Sequence, residues 1–247
     1  HDLARAKKVN MENVDKLIVV TGGTKGIGLA ILELFASQGY SVATCSRSEE
    51  DLDDLKASFE EKYDGKVYVN TSDLSQKEEC QSFVEFIRLI GKPVEMLVNN
   101  TGRFIPGEIL QESEGALEEM LNTNLLSAYT ITRGIVPFMK QAGKPHIFNM
   151  CSTASITAYK NGGSYCISKF ALYGMSKVLR EELKEVGIRV TSVLPGATFT
   201  ASWEGVEIPE ERFMKAEDVA EMIFSTYQLS AQSVVEDLLI RPQLGDL

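Results

Sequence analysis

Short apolar runs alternate along this chain with longer amphipathic stretches. Residues 17–20 are continuously apolar, 27–38 carry a helical period and 41–45 are strand-like again, which predicts one β-α-β unit. The alternation continues with a charged helix over 49–62, a strand over 67–70, a helix over 76–90 and, behind the breaker Pro93, a strand over 94–98. A long pair of helical patterns follows over 113–141, then a strand over 146–150 and a helix over about 165–185. A strand over 188–194, a helix near 217–227 and a strand over 234–240 complete the pattern. Strands this uniformly apolar expect cover on both faces, so the seven predict a parallel sheet between helices. With right-handed crossovers it becomes an α/β, Rossmann-type doubly wound sheet.

No repeat, low-complexity linker or shift in composition marks a second domain, and one domain over 11–247 is expected. Residues 1–10, charged and preceding Met11, are set aside as a disordered extension or a remnant foreign to the fold. Residues 199–214 have no place in the sheet. They leave the carboxyl end of the strand closing at Leu194, where ligands bind in open α/β sheets, and are read as a short lid over a substrate that closes when cofactor binds.

Composition narrows the function. Of 247 residues, 44% are hydrophobic and 24% charged, as in an ordinary globular chain. A formal charge of -10 argues against binding a phosphate backbone, so no nucleic-acid partner is expected. No apolar run reaches the roughly 18 residues of a membrane span, and the start lacks a signal-like stretch, so no membrane association and a cytoplasmic location are expected. The 4 cysteines and 2 histidines show no metal-ligand spacing, which predicts reduced thiols and no metal.

Thr21-Gly22-Gly23-Thr24-Lys25-Gly26-Ile27-Gly28 lies between the first strand and first helix. Glycines there permit a tight turn and close backbone approach to a pyrophosphate facing the helix amino end. Lys25 is not followed by Ser or Thr, so the turn favours a dinucleotide over a nucleoside triphosphate. The second strand ends Thr44-Cys45-Ser46-Arg47-Ser48, without the acid an NAD ribose wants. Arg47 and Lys25 could converge on a 2′-phosphate, which predicts NADP(H).

Tyr165 and Lys169 stand four residues apart, on one helix face. A free phenol titrates near 10, and a nearby ammonium stabilises the phenolate and improves it as an acid–base group. Ser152, just past the strand over 146–150, could polarise a carbonyl at the same sheet edge.

With these residues in order, and with Asp73-Leu74, Asn99-Asn100-Thr101-Gly102, Asn124 and the Pro195-Gly196 turn ending at Thr200, nearly the whole chain resembles the short-chain dehydrogenase/reductase family. The resemblance implies strand order 3-2-1-4-5-6-7 and a catalytic set of Asn124, Ser152, Tyr165 and Lys169. Tyr165 would protonate the carbonyl oxygen, Lys169 hold the nicotinamide ribose, Ser152 bind the reacting oxygen, and Asn124 hold a water of a proton relay. Cofactor contacts are implied for Gly22, Thr24, Lys25, Gly26, Ile27, Gly28, Ser46, Arg47, Asp73 and Leu74, then Asn99, Gly102, Pro195, Gly196, Thr198 and Thr200. The family's NNAG is NNTG here, and Thr101 adds a hydroxyl and a branch near the cofactor.

The carboxyl-terminal stretch over 234–247 and the segment around Trp203 are similar to bacterial sepiapterin-reductase-like members. This implies reduction of a ketone or aldehyde such as a pterin side chain or a diketone. Phe104, Thr153, Tyr159, Phe199 and Trp203 are the candidate substrate contacts. Alternatives are a 3-oxoacyl-thioester reductase or hydroxy-acid dehydrogenase of the same family, and a non-catalytic NADP(H)-binding sensor. A thioester on an acidic carrier protein would need a basic patch such as Arg103, Arg133 and Lys140. The apolar faces of the helices over 113–141 and 165–185 are, by the same resemblance, where a homodimer or homotetramer forms.

Overall fold

The structure, a computed structural model, describes residues 13, 15–200 and 208–246. Residues 1–10 and positions 201–207 of the expected lid, with Trp203, lie outside the described residues. Seven parallel strands are present among them: β1 (Leu17–Thr21), β2 (Ser41–Ser46), β3 (Val67–Thr71), β4 (Val94–Asn99), β5 (His146–Met150), β6 (Arg189–Pro195) and β7 (Asp237–Ile240). Their order is β3-β2-β1-β4-β5-β6-β7, as expected. The helices are α1 (Gly26–Ser37), α2 (Glu49–Lys62), α3 (Lys77–Ile90), α4 (Ala116–Leu121), α5 (Ser127–Met139), α6 (Gly163–Leu183) and α7 (Ala216–Gln228).

Every residue of β1 is buried because both faces are covered. Successive side chains point to opposite faces of a strand. Ile18 and Val20 accordingly pack with Ile31 and Phe35 of α1 and Val219 and Ile223 of α7. Leu17 and Val19 pack instead with Phe83 and Ile87 of α3 and Ile131 and Ile135 of α5. Phe35 centres the first layer, with its ring edge-on to Tyr40, Phe224 and Tyr227 at centroid distances of 5.4, 5.2 and 5.6 Å.

The pair of patterns over 113–141 resolves differently from a simple helix pair. Helix α4 runs into a π-helical segment, Asn122–Leu126, and then into α5. The Ser127 N–H reaches back five residues to the Asn122 carbonyl, and the Ser127 hydroxyl donates to the Thr123 carbonyl at 2.6 Å. A π-turn inserts one residue into the helical period and so shifts which side chains face inward, and here it sits at Asn124. Strand β7 also starts three residues later than expected. The Thr191 hydroxyl donates to the Val235 carbonyl at 2.6 Å, so ladder pairing with β6 begins only at Ser192 and Asp237.

Buried polar groups close the amino end of β4, β5 and β6. The Glu95 carboxylate accepts the Gly143 and Lys144 N–H groups, both at 3.1 Å, and the Tyr227 hydroxyl at 3.3 Å. At the opposite end, the strand order reverses between β1 and β4, and there the connections diverge to leave a crevice.

Candidate active site

The crevice is a cleft of about 890 Å³. One wall is the glycine turn with Lys25 and Ile27, and the far end is closed by Ser46, Arg47, Asp73 and Leu74. The opposite wall carries Asn100, Thr101, Gly102, Arg103, Glu119 and Thr123, and Thr200 lines it as well.

The turn works only with glycine. Gly22 and Gly26 have φ of 67° and 56°, a region that costs L side chains energy. A Cβ at Gly23 would meet Leu32 Cδ1 at 2.3 Å and Thr44 Oγ1 at 2.5 Å, and one at Gly28 would stand 2.5 Å from the Gly22 carbonyl oxygen. Asn100, one residue past β4, clasps the turn, its Nδ2 donating to the Thr21 and Gly22 carbonyls at 2.9 and 3.0 Å. Thr101 packs its hydroxyl toward Gly22, where a Cβ would lie 2.9 Å away. The hydroxyl added at this position is therefore directed at the turn.

Helix α1 has no side-chain cap and no acid in its first turn, whereas α2 has Ser48 as cap and three acids there. The free N–H groups of α1 thus favour an anion at the cleft. Lys25 pairs with Asp51 at 3.1 Å, which holds it beside the β2–α2 turn, and Arg47 is exposed on the cleft wall. An uncapped helix end over a glycine-rich turn, with a guanidinium at the end of β2, fits a phosphorylated dinucleotide.

Several residues with implied cofactor contacts have side chains engaged within the protein. The Asn99 carboxamide points into the interior, donating to Thr132 Oγ1 at 2.9 Å and Asn149 Oδ1 at 2.7 Å, and its Oδ1 is buried without a hydrogen-bond partner among the described residues. Neighbouring strand residues face opposite sides, and Asn100 takes the cleft wall. Thr24 Oγ1 donates to the cleft residue Ser46 at its Oγ, at 3.4 Å, and Gly28 is buried beneath the Gly22 carbonyl. Of 195–200 only Thr200 lines the cleft. Pro195 ends β6, Gly196 packs on the carboxyl-terminal segment so closely that a Cβ would meet Asp246 Oδ1 at 2.7 Å, and Thr198 is buried with its hydroxyl on the Gly196 carbonyl at 3.1 Å. Arg103, Glu119 and Thr123 were not anticipated as cleft residues. Arg103 forms an ion pair with Glu119 across the wall, a contact with no local sequence signal.

The catalytic candidates gather beyond Gly102. Lys169 is 5% exposed, and its ammonium donates to the Met150 carbonyl at 2.7 Å and lies 5.8 Å from the Tyr165 ring centroid. A Cβ on Gly102 would stand 3.4 Å from Lys169 Nζ and 3.5 Å from Asn124 Oδ1, so the three are neighbours. Ser152 caps the short 3₁₀ turn Thr153–Ser155, its Oγ accepting the Ala154 N–H at 3.1 Å, which leaves the hydroxyl proton to donate elsewhere. The Asn124 side chain is spent on protein: its N–H groups donate to the Arg103 carbonyl and to Ser168 Oγ, each at 2.9 Å.

Around Tyr165 the aromatic candidates are exposed. Phe104 is edge-on to the Tyr165 ring at 4.9 Å, Tyr159 packs over Gly162, and Phe199 is edge-on to Phe213 at 5.7 Å. Burial, with the Tyr165 phenol beside it, pushes the Tyr159 phenol above its ordinary range. Burial also pushes the Cys45 thiol up to about 12 and those of Cys80 and Cys151 up to about 11, which disqualifies them as thiolate nucleophiles at neutral pH. No described helix is long and apolar enough to cross a membrane, and no described cluster of His, Cys, Asp and Glu could hold a metal ion.

Comparison with known proteins agrees with this geometry. The chain is 29% identical over 240 residues to a sepiapterin reductase of Chlorobaculum tepidum, covering 94% of this chain and 98% of the relative. It is 28% identical over 232 residues to an oxidoreductase of Staphylococcus saprophyticus, covering 94% and 99%. Among solved structures, a metagenomic short-chain oxidoreductase in complex with NADP superposes with a TM-score of 0.80 at 26% identity, covering 93% of this chain and 97% of that one. L-Sorbose reductase from Gluconobacter frateurii, complexed with NADPH and L-sorbose, gives 0.83 at 25% identity, covering 92% and 95%. The short chain dehydrogenase family model matches residues 16–210, and with more than half of its length matched the chain belongs to that family.

Proposed function

We infer that this oxidoreductase uses NADPH to reduce a ketone or aldehyde to an alcohol, with Tyr165 as the proton donor. The observation that carries the reading is the buried Lys169 ammonium, anchored on the Met150 carbonyl and facing the ring of a half-buried Tyr165 at the end of a glycine-walled cleft. When bound, the reduced nicotinamide supplies the hydride. Gly22, Gly26, the open amino end of α1 and Arg47 would hold the phosphates, and Asp73 and Leu74 the adenine end. Ser152 Oγ donates to the substrate oxygen and orients it. The Tyr165 hydroxyl then gives that oxygen its proton, and the Lys169 ammonium faces the negative charge left on the phenol. Asn124 holds the Arg103 backbone and thereby the Gly102 wall beside Lys169.

The aromatic rim of Phe104, Tyr159 and Phe199 suits a flat conjugated substrate, and the likeness to a sepiapterin reductase supports a pterin side-chain ketone or a vicinal diketone. Leu126, Tyr129, Ile167 and Phe170, exposed on the α4–α5 rod and on α6, support a homo-oligomer, which light scattering tests against a monomer.

The experiment is NADPH oxidation, followed by its absorbance, against sepiapterin, diketones, aldehydes and an acetoacetyl thioester. Sepiapterin or diketone turnover that falls by roughly 10²- to 10⁴-fold in Tyr165→Phe, with NADPH binding retained, is the expected result. Preference for the thioester would move the substrate class, and NADPH binding with no turnover of any carbonyl would overturn the enzymatic reading.

A further inference from the structure

Helix α6, which carries Tyr165 and Lys169, starts without a cap of its own: Gly162 has no side chain to offer, and the first turn holds no acid. The missing group comes from 52 residues upstream. Glu112 Oε1 accepts the Ser164 N–H at 2.8 Å, and the Ser164 hydroxyl donates to Glu112 Oε2. Ser164 is 2% exposed and immediately precedes Tyr165.

Two glycines make room for this carboxylate. A Cβ at Gly163 would lie 2.1 Å from Glu112 Oε1, and one at Gly107 would lie 2.6 Å from Glu112 Cγ. The loop that brings Glu112 is itself tied to the approach of α6. The Gly107 N–H donates to the Asn161 carbonyl at 2.9 Å, Gly107 bridges Gly162, and Glu108 pairs with Lys160 at 3.3 Å. The same loop starts at Phe104, whose ring sits edge-on to Tyr165.

We propose that Glu112 is a positioning residue for Tyr165. It fixes the first turn of α6 from below and the loop bearing Phe104 from the side, so the phenol is held on two of its flanks by one carboxylate. The requirement is reach: the side chain must span from the loop to Ser164 N and Oγ together. Gln has that reach, with its oxygen accepting the N–H and its NH₂ donating to the hydroxyl, whereas Asp keeps the charge and falls one methylene short. Misplacing a reacting group by about 1 Å costs on the order of 10²-fold in rate.

This inference rests on Tyr165 as proton donor only for its kinetic arm, because the position of the ring is read without substrate. The full chain, labelled with 3-fluorotyrosine, gives fluorine resonances from its 8 tyrosines, and Tyr165 is identified by its loss in Tyr165→Phe. In Glu112→Asp the Tyr165 resonance is expected to move or broaden while those of tyrosines remote from α6 stay in place, and Glu112→Gln is expected to restore it. Turnover should fall about 10- to 100-fold in Glu112→Asp with the NADPH dissociation constant, read by fluorescence, within about twofold of wild type. Gly163→Ala, which evicts the carboxylate by a route that leaves it in the sequence, should reproduce Glu112→Asp. An unmoved Tyr165 resonance in both variants, a concerted shift of all the tyrosines, or an Asp variant that outperforms Gln would overturn the proposal. Failure of the wild type to reduce any carbonyl, with the Tyr165 resonance still moving, would count against the carbonyl reading and leave the positioning role standing.

Discussion

Asn124 grips the backbone of Arg103 at both of its polar groups: its Oδ1 accepts the Arg103 N–H at 2.7 Å and its Nδ2 donates to the Arg103 carbonyl at 2.9 Å. The grip fixes the chain one residue past Gly102, next to the Lys169 ammonium. Asn124→Ala removes its hydrogen bonds to the Arg103 N–H, the Arg103 carbonyl and Ser168 Oγ and is expected to destabilise the fold by about 1–3 kcal/mol in urea unfolding. Turnover should drop by more than the unfolded fraction explains.

Arg47 stands on the cleft wall where β2 ends, without a carboxylate in the place an NAD ribose would want one. A charge-assisted bond to a 2′-phosphate is worth about 1.5–3 kcal/mol, so Arg47→Ala should weaken NADPH binding by roughly 10- to 100-fold and leave NADH almost unchanged. Calorimetric titration of both cofactors checks it. Equal losses for the two would remove the assignment of the 2′-phosphate to Arg47.

Gly28 and Gly174 make a paired test of the turn. A Cβ at Gly28 would overlap the Gly22 carbonyl and stand 2.6 Å from Asn100 Nδ2, whereas one at Gly174, in α6, meets nothing within 4 Å. Gly28→Ala should abolish measurable cofactor binding and lower the melting temperature. Gly174→Ala should leave binding intact and raise stability by about 0.4–1 kcal/mol through the unfolded state.

His146 predicts a pH dependence away from the site. It is fully buried, with Nε2 2.7 Å from Thr191 Oγ1. The Thr191 hydroxyl spends its proton on the Val235 carbonyl, so Nε2 must carry the ring proton, and Nδ1 is bare, with no partner among the described residues. Burial first, then the nearby Arg189 and Lys144 charges, hold its pKa well below 6.5. A histidine depressed in the folded state binds protons preferentially when unfolded. Its contribution is therefore complete above the unfolded pKa and is lost as pH falls below about 6.5, by at most about 1.4 kcal/mol per pH unit. Urea unfolding between about pH 7 and pH 5 should show this slope, and His146→Gln should flatten it. An unchanged slope in the variant would place the acid sensitivity in other groups.

The seven strands were legible from the chain because an apolar run is a local property: β5 and α2 have the expected limits, and the other strands match within three residues. The turn over 21–28 and the Tyr165–Lys169 pair were legible for the same reason, since glycine conformations and one-turn helical spacing need no distant partner. Asn99 and Asn100 were not separable in this way. Which of two adjacent amides faces the cleft depends on how β4 sits between β1 and β5 and on Thr132 and Asn149, which lie 33 and 50 positions away. The π-turn at Asn124 was hidden because its neighbours fit an ordinary helical period, and only the bonds to Arg103 and Ser168 account for its inward carboxamide. The ion pair of Arg103 with Glu119 and the reach of Glu112 to Ser164 likewise join segments whose separation along the chain carries no pattern. Periodicity and turn chemistry act between near neighbours and so specify the elements and the residues they carry. Which side chains meet at the cleft is set by packing between elements, where direction and distance exist only once the sheet has formed.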